Sequence, residues 1–268
     1  MKRKASVAGY FYPSEKEKLR TMLERFIDID KEKKKAVSVI SPHAGYQYSG
    51  AVAGTVFSSV VLPNKFIILG PNHRSSRSGC ALVKEGEWES PLGNVEIDSK
   101  LSETLMNLTS VLEYDEEAHI YEHSIEVQIP FIQYLKKNIS IVPISISYFV
   151  SIDELEELGE AISKSIKEHE GNVLIVASTD MSHRIPQLIA QEKDYLAIEE
   201  ILKLDERGLF EVVRKEEISM CGYQPVISAI VASKRLGAEK GELLTYQTSG
   251  DVTGNYQDVV GYAGICIC

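Results

Sequence analysis

The chain has four cysteines and one tryptophan in 268 residues, no excess of basic residues and no long apolar run. Each shortage removes a class of protein. Cys80, Cys221, Cys266 and Cys268 are too few and too unevenly spaced to frame a disulfide scaffold. Cys266 and Cys268 sit in an apolar, strand-like tail, where alternation is expected to turn the two thiols to opposite faces as small buried hydrophobes. With 29 Lys and Arg against 39 Asp and Glu, the formal charge is −10, so the basic surface that nucleic-acid binding requires is missing. The one basic cluster, Lys31–Lys35, falls between two expected elements and reads as a solvated helix end. No stretch approaches the roughly 18 apolar residues of a membrane span, and the N-terminus lacks the apolar core of a secretion signal. The expectation is a cytoplasmic protein that binds neither nucleic acid nor membrane.

What is present is ordinary globular material, 44% hydrophobic and 25% charged, sufficient for a substantial core. The length permits one or two domains. No repeat or Pro/Gly/Ser-rich linker divides the sequence, so a single domain over residues 1–268 is expected. Short β-branched apolar runs alternate with longer segments of helical period, the pattern of an α/β protein with a mainly parallel or mixed central sheet flanked by helices. Strands are expected at Ala36–Ile40, Lys65–Leu69, Ile139–Ile146, Gly171–Ala177 and Gly261–Cys268. Helices are expected at Glu15–Phe26, Gly50–Ser59, Ser99–Leu108, Ser124–Lys137, Asp153–Glu168, Pro186–Leu204, Asp205–Lys215 and Gln224–Leu236. Cys80–Asp98, with the turn residues Pro91-Leu92-Gly93-Asn94, reads as a hairpin or meander added antiparallel to the sheet.

Three of these strands end alike. Their apolar runs stop at small or helix-breaking residues and then deliver an imidazole or carboxylate: Ser41-Pro42-His43, Gly70-Pro71-Asn72-His73 and Ser178-Thr179-Asp180-Met181-Ser182-His183. Ligands of open α/β sheets bind beyond the carboxyl ends of the strands, so His43, His73, Asp180 and His183 are expected to converge in one polar pocket. Two imidazoles and a third donor can hold a transition metal. Cys221 offers the third donor from the start of a helix, where the dipole favours a thiolate. Asp180 offers another, completing a two-histidine, one-carboxylate set. The run His119-Ile120-Tyr121-Glu122-His123 matches the H-x-x-E-H text of inverted zinc peptidases. A helix beginning at Ser124 leaves His119 in the preceding loop, however, which favours His119 as a surface residue and His123 as a proton donor or acceptor in the pocket. Tyr46, Tyr48, Trp88 and Tyr223 are candidates for the pocket mouth. Asp251–Gly254 either closes over it or turns the chain.

These residues also carry a resemblance. Ala8-Gly9-Tyr10-Phe11-Tyr12-Pro13, Pro42-His43-Ala44-Gly45-Tyr46-Gln47-Tyr48-Ser49-Gly50, Leu69-Gly70-Pro71-Asn72-His73, Glu122-His123-Ser124-Ile125-Glu126, Ser178-Thr179-Asp180-Met181-Ser182-His183 and Cys221-Gly222 run nearly end to end in an order that resembles the Memo family, known in prokaryotes as AmmeMemoRadiSam system protein B. The resemblance implies a fold similar to that of class III extradiol dioxygenases, which use non-haem iron. It implies a metal centre of His43, His73 and Cys221, with His123, Asp180 and His183 lining the same cavity as candidate catalytic groups. Iron(II) or copper is the implied ion, and the donors also accept zinc. A thiolate in place of the dioxygenases' carboxylate draws the site toward softer or redox-active metals. Three roles follow from the resemblance: a metal-dependent oxidoreductase acting on a small molecule, a binding module for a peptide or small ligand, and a partner of a radical-SAM enzyme.

Overall fold

The computed structural model describes residues 2–74, 79–169 and 171–268. In chain order the first half runs β1 (Lys2–Arg3), α1 (Lys16–Phe26), β2 (Ser38–Ser41), α2 (Tyr46–Ser58), β3 (Lys65–Pro71), β4 (Cys80–Leu82), β5 (Glu87–Trp88), β6 (Val95–Ile97), α3 (Ser99–Met106), β7 (Leu112–Tyr114), α4 (Glu117–Ile120) and α5 (Ile129–Leu135). The second half runs β8 (Ser140–Ile146), α6 (Ile152–Glu168), β9 (Val173–Ser178), β10 (His183–Ile185), α7 (Gln187–Leu202), α8 (Glu206–Lys215), α9 (Tyr223–Arg235), β11 (Gly241–Thr248), α10 (Gly250–Thr253) and β12 (Val259–Ile267).

The centre of the sheet is the parallel set β8–β3–β9–β2. On one side β12 pairs antiparallel with β2 and carries β10 and β11, both antiparallel. On the other, β6 runs parallel to the first residues of β8, while β4 runs antiparallel to the last ones. Residues 80–98 are therefore only partly antiparallel to the sheet. Their hairpin is β5–β6, and β6 itself joins β8 in parallel.

The central strands are apolar without alternation because helices cover both faces. Ile67 and Leu69 of β3 point into a core shared with α6, α8 and α9, whereas Phe66 and Ile68 point into a second core under α1, α2 and α5. Cys266 and Cys268 both belong to this second core. They do not face opposite sides as expected, because residues two apart on a strand share a face. Among the described residues, no helix is long and apolar enough to cross a membrane.

Most element ends agree with the sequence reading within about two residues, as end-fraying allows. The expected helix over Ser124–Lys137 is shorter: a 3₁₀ turn at Glu126–Gln128 leads into α5, with Pro130 in its first turn. Strands β1, β7, β10 and β11 are additions to the expected set.

Candidate metal centre

Parallel pairing places the strand ends level. Ser41 pairs with Ser178, and Leu69 with Ala177. The segments that follow therefore leave the sheet on the same side, and they carry His43, His73, Asp180 and His183 into one cavity of about 600 Å³. Phe11, Tyr48, His123, Arg184, Thr253 and Tyr262 also line it. Of the four aromatic candidates only Tyr48 is among the lining residues. Tyr46, Trp88 and Tyr223 are buried packing residues, Trp88 lying beneath the Arg3 guanidinium. Residues 251–254 turn the chain, through α10 and the left-handed Gly254, and Thr253 is among the residues lining the cavity.

One ring nitrogen from each of His43, His73 and His123 lies within 4.8 Å of the others. The rings touch in pairs, with centroids 5.2 Å (His43–His73), 5.4 Å (His43–His123) and 4.8 Å (His73–His123) apart. Burial and the neighbouring imidazoles hold His43 well below the usual histidine range. Burial pushes His123 down to about 4. Both rings are therefore neutral near pH 7, the form that binds a metal.

Glu122 holds the ring of His73 and the backbone of His123. Its buried carboxylate accepts from His73 Nδ1 (3.0 Å) and from the backbone N–H groups of His73 (2.6 Å), His123 (2.9 Å) and Ser124 (2.9 Å). Burial alone would raise its pKa, but these bonds and the nearby imidazoles lower it to about 2. An ionised carboxylate only accepts, so His73 Nδ1 is the donor and its Nε2 is left free. His123 Nδ1 lies 3.3 Å from the same carboxylate yet has no hydrogen-bond partner. A buried ring nitrogen without a hydrogen-bond partner, beside two neighbouring imidazoles, is suited to serve as a metal ligand.

The remaining predicted residues surround this cluster. The Asp180 carboxylate accepts from the His43 backbone N–H at 2.8 Å and pins the loop after β2; burial holds its carboxyl above the usual range. His183 Nδ1 donates to the Ser219 carbonyl at 2.9 Å. Cys221 lies just before α9, with Sγ 3.2 Å from His43 Nε2 and accepting the Asp180 N–H at 3.3 Å. It touches the cluster through His43 but is not one of the three closely spaced donors. Nor does the helix start favour a thiolate here: burial, and then the Asp180 carboxylate, push the thiol up.

His119 is not a surface residue. It is fully buried on α4, its Nε2 bonded to the Ala81 carbonyl at 3.1 Å and its ring against Trp88. Because α4 ends at Ile120, His119 and His123 do not share the helix that a peptidase motif needs. Beneath them the N-terminal segment is locked in. The Arg3 guanidinium bonds the carbonyls of His119 and Glu122 at 2.6 Å each and forms a buried ion pair with Glu126 at 2.8 Å. Glu126 also accepts from Ser6, Val7 and Tyr12, and Phe11 packs on the His123 ring. The aromatic motif near the N-terminus thus supports the wall of the cavity.

Close approach explains two glycines. A Cβ on Gly70 would meet Ser124 Oγ at 2.5 Å, and one on Gly222 would meet the Ser178 carbonyl oxygen at 2.4 Å. Sequence reasoning assigned no role to Glu122, Ser178 or Gln128. For Glu122 the signal was available, as a carboxylate written directly before a pocket histidine.

The sequence profile of Memo-like proteins matches residues 3–266. The chain belongs to this family. It is 42% identical to MEMO1 family protein MK0963 of Methanopyrus kandleri over 279 residues, covering 99% of this chain and 98% of that relative. It is 39% identical to MEMO1 family protein MTH_45 of Methanothermobacter thermautotrophicus, covering 98% and 99%. Among solved structures, an uncharacterized protein of Escherichia coli K12, JW3007, superposes with a TM-score of 0.55 at 13% identity, over 85% of this chain and 99% of that one. That likeness concerns the fold alone. Both relatives are matched over nearly their whole length.

Proposed function

We propose that the cavity is a transition-metal centre of an oxidoreductase, dioxygenase-like in kind, acting on a small molecule. His43 and His73 are two ligands and Cys221 the third, with His123, Asp180 and His183 as the groups that handle protons and orientation. The observation that carries the reading is the convergence of three imidazoles within 4.8 Å, one of them with an unpartnered buried nitrogen. Their geometry offers His123 as a ligand in place of Cys221. A bound iron(II) or copper ion would supply Lewis acidity and electron transfer, and zinc the first of these alone.

The chain's own residues do the rest. Glu122 holds His73 through Nδ1 as carboxylates hold ligating imidazoles elsewhere. Asp180 fixes the His43 backbone. His183, with Nδ1 committed to a carbonyl, keeps Nε2 as a proton acceptor at the cavity wall.

Elemental analysis of anaerobically purified protein tests this. Near one iron or copper per chain is expected in the wild type and none in His43→Ala. Loss in Cys221→Ser but not in His123→Ala supports the thiolate ligand, and the reverse supports three histidines. Wild type that stays metal-free after reconstitution sinks the reading.

One observation favours a second reading, a binding module without turnover. Arg184, beside His183 on the cavity wall, adopts φ 57°, a left-handed conformation uncommon for a residue with a side chain. An exposed arginine on that wall suits an anionic small molecule or peptide. Calorimetry with small carboxylates and phosphopeptides would show saturable binding, lost in Arg184→Ala and independent of metal. Partnership with a radical-SAM enzyme rests on the family's prokaryotic name, and co-purification from the native host tests it.

A further inference from the structure

We propose that Ser178, assisted by Gln128, is a positioning residue that fixes the His43 ring in its Nδ1–H tautomer and keeps the Nε2 lone pair on the side of Cys221 and the cavity. The claim follows from counting protons in a sealed network. A serine hydroxyl has one proton and two lone pairs. Ser178 Oγ has three partners: the Ser124 carbonyl at 2.6 Å, Gln128 Nε2 at 2.8 Å and His43 Nδ1 at 3.0 Å.

A carbonyl cannot donate, so the hydroxyl proton goes to Ser124. The Gln128 amide is oriented independently, because the same Nε2 lies 2.9 Å from the Pro42 carbonyl. Turning the amide over would place its oxygen against that carbonyl, so its two N–H bonds serve Pro42 and Ser178. One lone pair of Ser178 remains, and only an N–H can use it. His43 Nδ1 is therefore protonated, and the neutral ring carries its lone pair on Nε2.

Water cannot substitute for these partners. Ser124, Gln128 and Ser178 are 0% exposed and His43 is 2% exposed. Gln128 Oε1 is left without a partner, a cost the fold bears while the amide nitrogen is aimed at Ser178. The opposite tautomer would set the Nδ1 and Oγ lone pairs against each other or strip Ser124 of its donor. Strand β9 thus sets His43 in the way the Glu122 carboxylate sets His73, by a neutral hydroxyl instead of a charge. The use of that lone pair as a metal ligand rests on the proposed function, but the tautomer does not.

The test separates the two. Long-range ¹H–¹⁵N correlation spectra of histidine-labelled, metal-free protein at neutral pH distinguish protonated from bare ring nitrogens. In the wild type, His43 is expected to show a protonated Nδ1 and a bare Nε2. Ser178→Ala should move His43 toward the other tautomer or a mixture, and Ser178→Thr should restore the wild-type pattern. A bare Nδ1 in the wild type, or an unchanged pattern in Ser178→Ala, overturns the proposal. The wild-type spectrum decides the tautomer even if a variant fails to fold. Titration with zinc, read by calorimetry, adds a second measure: Ser178→Ala should bind about tenfold more weakly at unchanged stoichiometry, the loss typical of a group that orients a ligand. A wild type that binds no metal would count against the metal centre and leave the tautomer assignment standing on the spectra.

Discussion

The two ends of the central parallel strands hold cavities of similar size and opposite character. At the amino ends a cleft of about 780 Å³ is lined by Lys35, Lys65, Lys136, Asn64 and Asn172, among others. An adjoining cleft of about 720 Å³ adds Lys16, Arg20 and Lys137. At the carboxyl ends the cavity is smaller, about 600 Å³, yet the polar groups directly behind its histidines are buried and held by two or more hydrogen bonds each, as at Glu122 and Ser178. Lys136 follows directly on the end of α5, where a cation complements the helix dipole, so structural chemistry accounts for part of that basic lining. Size therefore does not distinguish the two ends. The fixing of polar groups in neutral or ionised states suited to a ligand does.

The largest test of this contrast is Arg3→Met. It leaves the Glu126 carboxylate buried without its cation and two carbonyls behind the histidine cluster without a donor. Breaking a buried pair in this way costs roughly 3–5 kcal/mol. Urea unfolding should show the loss, and a cost below about 1 kcal/mol would mean that the N-terminal segment is not part of the site's support.

Next comes Glu122→Gln. The amide cannot accept from all of its present donors, so the His73 ring should lose its fixed orientation. Metal affinity should fall about 10- to 100-fold, by calorimetry, with the fold retained. Unaltered affinity would remove Glu122 from the site.

A third test is pH. Burial raises the Glu126 carboxyl, but Arg3, Tyr12 and the Ser6 and Val7 N–H groups outweigh it and leave the folded pKa below the usual value. The unfolded chain then binds more protons in acid. The stability Glu126 contributes is present above an unfolded pKa of about 4.3 and is lost as pH falls through the lower folded value. Wild type should therefore lose stability on acidification more steeply than Glu126→Gln. Equal slopes for the two would contradict the assignment.

The smallest effect belongs to the other end of the sheet. Lys136→Ala should change stability by no more than about 0.5 kcal/mol and leave metal binding untouched. A measurable loss of metal would contradict the contrast between the two ends.

Much of this was legible in one dimension. Apolar runs such as Phe66–Leu69 and Leu174–Ala177 determine a sheet covered on both faces, because a strand with no polar side has nowhere to meet water. Their ends at Ser41, Gly70-Pro71 and Ser178 determine where polar chemistry can begin, and the order of motifs identifies the family.

Tertiary structure decided the rest. His119 and His123 lie four residues apart, yet one is sealed against Trp88 and the other faces the cavity, since a helix that stops at Ile120 breaks their periodicity. Cys221 stands before a helix as the sequence promised, but burial and Asp180 oppose its ionisation, and neither is visible along the chain. Glu122, Gln128 and Ser178 act through hydrogen bonds to residues 49, 86 and 135 positions away. Periodicity reports which face of an element is buried. Which donor meets which acceptor is set by strand register and by loops closing over the sheet, and only the folded chain fixes those distances.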